Sequence, residues 1–331
     1  MATIKDVARE AGLTVTTVSR VLNNRGYISD DARKRVYDAM DRLNYRPNEV
    51  ARSLHKKTTN AIGLIVPYIS HPYFAEMISS IEREAAGQGY RIFLCNTKGK
   101  KESEKEYLDI CTSNRVAGVI LFSGSLSEEL FVKMNVPVIT MERTLGNGTA
   151  SVECDNWMGG ELAAKRLIEA GCRHLLVIGS TSANLELPAD NRVMGFRKVC
   201  EKYGTEFLEI DPGLQEYESL SYGELLENAL REHPETDGLF ASSDVIGAQT
   251  LQVCSKLGIK VPEKFKIIGF DDSYVATLTS PQLTTIHQPI KEMAAQAVQL
   301  LKDASEGRIV AKRMVLPVSL VERGSVQTPQ Q

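Results

Sequence analysis

The chain has 331 residues, 43% of them hydrophobic and 24% charged, which suits two or three globular domains with a sizeable core. No apolar run reaches the ~18 residues that span a membrane. The opening Met-Ala-Thr-Ile-Lys-Asp has no apolar signal-peptide stretch, so the chain is expected to stay in the cytosol. The net charge of −3 hides an asymmetry: residues 1–60 carry 12 Lys and Arg against 7 Asp and Glu, a net of +5, leaving −8 for the rest. A basic head on an acidic body points to a polyanionic partner for the head.

Three short helices are predicted in that head. The first runs from about Ile4 to Ala11, with Thr3 as its cap, Asp6 at the capping-box position and an apolar stripe of Ile4, Val7, Ala8 and Ala11. Gly12 follows, where a chain leaving a helix through a left-handed residue needs it. Thr14 caps a second helix, Val15 to Asn23, with Val18, Val21 and Leu22 inward. Ser29 caps a third, whose inner face is Val36, Met40 and Leu43, and Asp30 and Asp31 suit its N-terminal dipole. Two helices joined by a tight Gly turn make a helix-turn-helix. A ligand-free helical bundle has the same pattern, and the outer face of the second helix decides against it. Val15, Thr16, Thr17, Ser19 and Arg20 project near its start, the part of a recognition helix that reaches base edges. Arg binds guanine with two hydrogen bonds, and Thr and Val methyls meet a thymine methyl. Pro47 then allows a further helix, but Asn48 to Leu54 is barely two turns long and should not be helical alone.

From Ala61 onward, short apolar runs alternate with helical stretches. Strands are predicted at Ile62–Val66, Ile92–Cys95, Val119–Phe122, Val138–Met141, Leu175–Ile178, Leu239–Ala241 and Lys266–Phe270. This alternation implies α/β architecture, parallel sheets with helices on both faces. About 270 residues exceed one such sheet, so two doubly wound subdomains are expected. The six cysteines form no C-x-x-C pair and the histidines show no ligand spacing, so all are read as reduced packing residues, with no metal, cofactor or disulfide.

Ligands of open parallel sheets bind beyond the carboxyl ends of the strands. Asp155 ends "SVECD", Ser242–Asp244 follow "LFA", and Asp271 follows "IIGF". Arg192 opens a helix at "RVMGF", and Tyr73 and Phe74 follow the first strand's loop. A strand-end Asp also commonly caps the next helix, a reading open for Asp155 and Asp244, and Trp157 fits a core or interface as well as a cleft. Aspartates and arginines that bind hydroxyls, with aromatic faces under a ring, suit a sugar. The run "KGKKESEKE" is a solvated loop and helix start, and "ANLELPADNR" a cleft-edge loop.

Enzyme motifs fail. "GNGTAS" lacks the third glycine of a dinucleotide loop, "TKGKKES" lacks the first of a phosphate loop, and no G-x-S-x-G occurs. Asp155 and Asp271 could be imagined as a glycosidase pair, which a DNA-reading head makes redundant. A periplasmic-type sugar receptor needs a signal peptide and no basic head. The chain is therefore read as having no catalytic residues.

"TIKDVAREAGLTVTTVSRVLNN" with "YRPNEVARSL" resembles the LacI/GalR family of bacterial transcription repressors, and "PYFAEMISSIE", "VECDNWMGG", "RVMGF", "ASSDVIGAQTL", "IIGFDDS" and "LTTIHQP" extend the resemblance along the body. It implies a DNA-binding domain over 1–46, a hinge helix and linker over 47–60, and an effector-binding and dimerisation body over 61–331, built like periplasmic sugar-binding proteins. One subdomain would take about 61–156 and 289–314, the other 157–288 and 315–331, with crossings near Asn156, Gln288 and Val315. Val15, Thr16 and Arg20 then read bases, and Thr17, Ser19 and Asn23 contact the backbone. Asn48, Ala51 and Leu54 lie on the hinge, where Leu54 wedges a minor-groove step apart. Tyr73, Phe74, Asp155, Arg192 and Asp271 surround the effector, with Arg143 and Trp157 nearby. The implied partners are a pseudo-palindromic DNA operator, a carbohydrate effector (a small sugar or sugar phosphate) and a second copy of the chain. The tail lacks a leucine heptad, so a dimer is expected. "ERTLGNGTASVECDN" and "LPADNR" are similar to the family's sucrose-operon branch.

Overall fold

The computed structural model describes residues 2–23, 26–46, 59–122, 136–143, 149–179 and 188–326. The chain divides into two units, Met1–Thr59 and Asn60–Gln331. The hinge candidates Asn48, Ala51 and Leu54 lie outside the described residues.

The first unit holds α1 (Ile4–Ala11), α2 (Val15–Asn23) and α3 (Asp30–Arg42). Thr3 and Asp6 close the expected capping box, satisfying two N–H groups that the first turn leaves open. Gly12 ends α1 at φ 63°. Arg35 of α3 donates from Nη2 to the carbonyls of Ala11 at 2.6 Å and Gly12 at 3.2 Å. One side chain thus caps α1 and ties α3 to the turn. Thr14 Oγ1 accepts from Thr17 N at 3.2 Å and Ser29 Oγ from Ala32 N at 3.3 Å. Val7, Ala8, Ala11, Val18, Val21, Val36 and Ala39 form the core, with Leu22, Met40 and Leu43 at its rim. Burying one valine contributes about 1.5–3 kcal/mol, a large part of so small a domain's stability.

The described residues of the second unit contain twelve strands: β1 (Ala61–Val66), β2 (Arg91–Asn96), β3 (Gly118–Leu121), β4 (Val138–Met141), β5 (Thr149–Cys154), β6 (His174–Ile178), β7 (Glu206–Ile210), β8 (Gly238–Ala241), β9 (Lys266–Asp271), β10 (Thr284–His287), β11 (Arg313–Leu316) and β12 (Ser319–Val321). The helices are α4 (Pro72–Gly87), α5 (Lys101–Ser113), α6 (Asn156–Glu169), α7 (Asn191–Tyr203), α8 (Gly213–Ser219), α9 (Gly223–Glu232), α10 (Asp244–Leu257), α11 (Tyr274–Leu278) and α12 (Ile290–Ser305). The strands form two six-stranded sheets, ordered β11-β5-β4-β3-β1-β2 and β12-β10-β9-β8-β6-β7. Neighbours pair in parallel except β10 with β12. Central strands such as β1 are buried on both faces, which is why they read as unbroken apolar runs.

The seven expected strands are present. β7, β10, β11 and β12 have no counterpart among the sequence expectations, because "EFLEI", "TTIH", "RMVL" and "SLV" are short and partly polar, and β5 was read only as a strand end. β11 pairs with β5, Val315 opposite Glu153, and β12 pairs with β10 of the other sheet, so the chain passes from one sheet to the other between Leu316 and Ser319, close to Val315.

α6 and α7 cross backbone to backbone. A Cβ on Gly160 would lie 1.9 Å from the Arg192 carbonyl oxygen, and one on Gly195 2.1 Å from that of Trp157. Only glycine permits this approach, which sets the start of α7, with Arg192, beside the start of α6, with Asn156.

Candidate functional site

The first candidate surface lies on α2. Val18 and Val21 are buried, Val15, Thr16 and Arg20 are exposed, and Thr17 and Ser19 are half-buried. Thr17 Oγ1 is hydrogen-bonded to the capping Thr14 Oγ1 at 2.9 Å, which fixes the helix start. Val15 remains 41% exposed, an apolar methyl pair presented to solvent beside Thr16 and Arg20. The described part of Asn23 is its place at the helix end.

The second candidate site lies between the sheets of the second unit, at the carboxyl ends of β4, β5, β8, β9 and β10. Five side chains form a continuous polar chain there. Glu142 accepts from Asn156 Nδ2 at 2.7 Å, and Asn156 Oδ1 accepts from Arg192 Nε at 2.6 Å. Arg192 Nη1 lies 3.9 Å from Asp271 Oδ1, which accepts from Gln288 Nε2 at 2.7 Å. Asn156 and Gln288 are crossing residues, so this chain runs from one crossing to another through the Arg–Asp pair.

Arg192 is held on further sides. Its Nη1 donates to the Ser242 carbonyl at 2.8 Å, and its guanidinium lies 3.7 Å from the Phe270 ring centroid, a cation–π contact. Its Nη2 has no hydrogen-bond partner among the described residues. Asp271 is 4% exposed and has φ 112°, a strained conformation for a non-glycine residue and one that recurs at ligand clamps. Burial pushes its carboxyl well above the usual range, opposed by Arg192. Burial also raises Glu142, again opposed by Arg192. Two polar atoms here are buried without partners, the Tyr73 hydroxyl and Gln288 Oε1. Each costs about 1–3 kcal/mol until something bonds to it.

The aromatic wall comes from the first sheet's loops and from α8. Phe74 packs edge-on against Tyr73, His71 and Phe122. The His71 and Tyr217 rings are 6.2 Å apart, and Tyr68 donates to Glu218 at 3.2 Å, so α8 reaches across to the other subdomain. Burial, reinforced by the charge of Arg192, pushes the His71 imidazole down to about 4. It is neutral at pH 7, its Nδ1 accepts from Tyr73 N at 3.2 Å, and the proton is therefore assigned to Nε2.

The sequence-predicted residues separate into groups. Tyr73, Arg192 and Asp271 come together, and their charges act on one another. Phe74 backs Tyr73. Asp155 caps α6, accepting from Met158 N at 2.9 Å. Trp157 donates to Glu161 at 2.8 Å and is 38% exposed, which turns its indole along α6. Arg143 follows β4 and is half-buried, with its carbonyl accepting from Thr140 Oγ1 at 2.6 Å. Asp244 is a brace: it accepts from Thr285 Oγ1 at 2.5 Å and from Ser273 N and Oγ at 2.7 and 3.0 Å, and burial raises it to about 7. His71, Glu142 and Tyr217 escaped the sequence reading, and Gln288 was expected only as a crossing. The dipeptide His71-Pro72 at a helix start was the available signal for the first; the others carry none. A groove of about 610 Å³ lined by Pro72, Glu76, Asp272, Tyr274 and Arg323 contains neither Arg192 nor Asp271 and is a separate feature.

Comparison with known proteins adds the rest. The profile of the bacterial regulatory proteins of the lacI family matches residues 3–48, and that of the periplasmic binding protein-like domain matches residues 164–326. The chain is 36% identical to a ribose operon repressor of Halalkalibacterium halodurans, over 98% of this chain and 96% of that one. It is 35% identical to a sucrose operon repressor of Streptococcus mutans, over 98% of this chain and 100% of that one. A periplasmic binding protein/LacI transcriptional regulator from Alkaliphilus metalliredigens QYMF, solved with D-xylulofuranose, superposes with a TM-score of 0.73 at 33% identity, covering 81% of this chain and 100% of that one. The helix-turn-helix head, the two-sheet body and these full-length relatives lead to one conclusion: the chain belongs to the lacI family of bacterial regulatory proteins, which are transcription repressors and not enzymes.

Proposed function

We propose that this protein is a sequence-specific transcription repressor of a carbohydrate-utilisation operon, controlled by an uncharged sugar bound between the two sheets of its body. The observation that carries the reading is the Arg192–Asp271 pair, held beside the unpartnered Tyr73 hydroxyl and Gln288 carbonyl. A sugar's vicinal hydroxyls both donate and accept, and so suit this mixture of donors and acceptors. The α2 surface of Val15, Thr16 and Arg20 reads the operator, with Thr17, Ser19 and Asn23 on the backbone, and Asn48, Ala51 and Leu54 act in the minor groove. Asp155, Phe74, Arg143 and Trp157 complete the effector's surroundings.

Two features favour an uncharged sugar over a sugar phosphate. Glu142, Asp155 and Asp271 set three carboxylates around the cleft. Three of the helix starts around it carry a side-chain cap, α4 by His71, α6 by Asp155 and α10 by Ser243, while that of α7, with Arg192, carries none. One N–H at each of the three capped starts is therefore taken, which leaves those starts fewer donors for a phosphate. Ribose, sucrose and D-xylulofuranose, named for the similar proteins, are uncharged sugars. Coupling follows from the polar chain. A ligand that pulls on Arg192 or Asp271 pulls on Asn156 and Gln288, and so biases how the crossings let the subdomains close.

The working form is a homodimer, because two reading heads match two half-sites of a pseudo-palindrome. It acts in the cytoplasm, where its operator is. No helix among the described residues is long and apolar enough to cross a membrane.

The test is a thermal-shift panel of monosaccharides, disaccharides and their phosphates, followed by operator titration with each stabilising compound. Uncharged sugars should raise the melting temperature and change operator affinity. Stabilisation by phosphates alone would overturn the charge argument, and no response to any carbohydrate would overturn the effector reading.

A further inference from the structure

Asp271 is the last residue of β9, and the chain turns after it. Asp271 and Asp272 both have positive φ, 112° and 57°. Two such residues in succession keep their conformation only where the surroundings fix it. The residues of the turn are bonded in three directions. Asp271 meets Gln288 and Arg192 in the cleft. Asp272 accepts from Arg323 Nη2 at 2.5 Å and pairs with His287 Nδ1 at 2.9 Å. Ser273 gives both its backbone N–H, at 2.7 Å, and its hydroxyl, at 3.0 Å, to Asp244 Oδ2 at the start of α10. Of these side-chain anchors, Asp244 alone takes a backbone N–H of the turn, and so it fixes the path of the chain.

The second sheet makes room for this carboxyl. Gly269 of β9 stands opposite Thr285 of β10. Thr285 Oγ1 donates to Asp244 Oδ1 at 2.5 Å, and a Cβ on Gly269 would lie 2.5 Å from the same oxygen. Asp244 is fully buried and forms no ion pair among the described residues. A buried carboxyl without a cation is costly, and starting α10 does not require one, because Ser243 already caps that helix. The three bonds that Asp244 accepts all come from the turn and from the strand beside it.

We propose that Asp244 is a positioning residue of the effector cleft: by fixing the Ser273 amide it holds the strained turn that aims the Asp271 carboxyl at Arg192 and Gln288. The assignment rests on the reading of Asp271 as an effector ligand and adds to it, since part of the affinity for a sugar then comes from a residue behind the site. What matters is the acceptor and not its charge. Asparagine in this place keeps one oxygen for the Ser273 amide and can donate to the Thr285 hydroxyl. Alanine leaves the buried amide without a partner.

The experiment uses the full chain as wild type, Asp244→Ala and Asp244→Asn, each also combined with Asp271→Ala. Crystal structures of the free proteins come first. In Asp244→Ala the Asp271 backbone should leave positive φ and its bond to Gln288 should be lost; in Asp244→Asn both should be kept. Each protein is then titrated with D-ribose and with sucrose. Asp244→Ala should weaken binding by roughly tenfold to a hundredfold, and Asp244→Asn should recover most of that loss. In the Asp271→Ala background, Asp244→Ala should cost less than about twofold more, because the two residues act as one unit. Asp271 unmoved in Asp244→Ala, or equal losses in both backgrounds, would overturn the proposal, since a brace that only supports the fold acts alike in either. Where Asp244→Ala folds poorly, hydrogen exchange of the wild type decides: the Ser273 amide should exchange as slowly as the amides of β9, and exchange at the rate of an exposed loop would overturn the proposal. The crystal structures decide the placement of Asp271 even where no carbohydrate binds, a result that counts against the effector reading alone.

Discussion

On α2, the outward residues Val15, Thr16 and Arg20 follow one another along a single helix, and each is exposed with its own path to a partner. In the cleft, Tyr73, Arg192 and Asp271 come from distant parts of the chain, are buried, and are held by one another and by Asn156, Ser242 and Gln288. The contrast has an energetic consequence. An exposed head residue can change without disturbing its neighbours, so substitution there should leave the fold intact and show only in what the head binds. A cleft residue is part of a shared network, so substitution strands buried partners and alters stability and binding together.

Arg192→Ala tests this contrast hardest. It removes the guanidinium from between Asn156, Ser242 and Asp271 and leaves the buried Asp271 carboxyl with the Gln288 amide but no cation beside it. The body should lose about 3–5 kcal/mol of stability, and sugar binding should fall by roughly a hundredfold or more. Calorimetry and chemical denaturation measure both. Unchanged stability with lost binding would make Arg192 an independent ligand and break the network description.

Leu54→Ala probes the other region. Loss of the wedge should weaken operator binding by about 1–3 kcal/mol and leave sugar binding alone. Equal operator affinities in a fluorescence titration would remove the wedge assignment. Arg20→Ala should cost about 1–3 kcal/mol at one base position only. Selection from random DNA should return a motif relaxed at that position; a uniform loss across all positions would mean that Arg20 contacts phosphate instead.

A pH slope sharpens the comparison on the cleft side. His71 is depressed to about 4 when folded, against its ordinary 6.5. Between these values the unfolded chain holds a proton that the folded chain lacks, so His71 destabilises the fold as pH falls through that window. His71→Asn keeps a capping side chain but removes this titration. Its stability should therefore fall relative to wild type, as pH rises from about 4 to 6.5, by up to about 1.4 kcal/mol per pH unit. Parallel pH profiles of the two proteins would show that His71 does not titrate differently on folding.

The head was legible almost residue by residue. Thr3, Asp6, Gly12, Thr14 and Ser29 all perform the capping roles their types imply, because caps and turns depend on near neighbours. The body was legible in its central strands and in the residues at their carboxyl ends. Asp155 shows the limit: its type and place fitted both a helix cap and a ligand group, and its cap bond to Met158 is visible only in three dimensions. Glu142 had no local signal at all, and Gln288 was marked only as a crossing. Their roles come from meeting Asn156 and Asp271, and no pattern along the chain records that meeting.

What the sequence by itself determined was local. It set the second helix and its outward face, the two-sheet class from the alternation of apolar runs and helices, and the candidates Tyr73, Arg192 and Asp271. The tertiary structure decided which of these meet. It did so through the glycine contact of α6 with α7, which brings Arg192 to Asn156, through the place of β11 on the edge of β5, and through Gly63, which seats Cys111 of α5 against β1. Helix caps and periodicity depend on residues within a turn or two. Close packing and strand pairing join residues far apart in the chain, where the energy belongs to the contact and to neither residue alone.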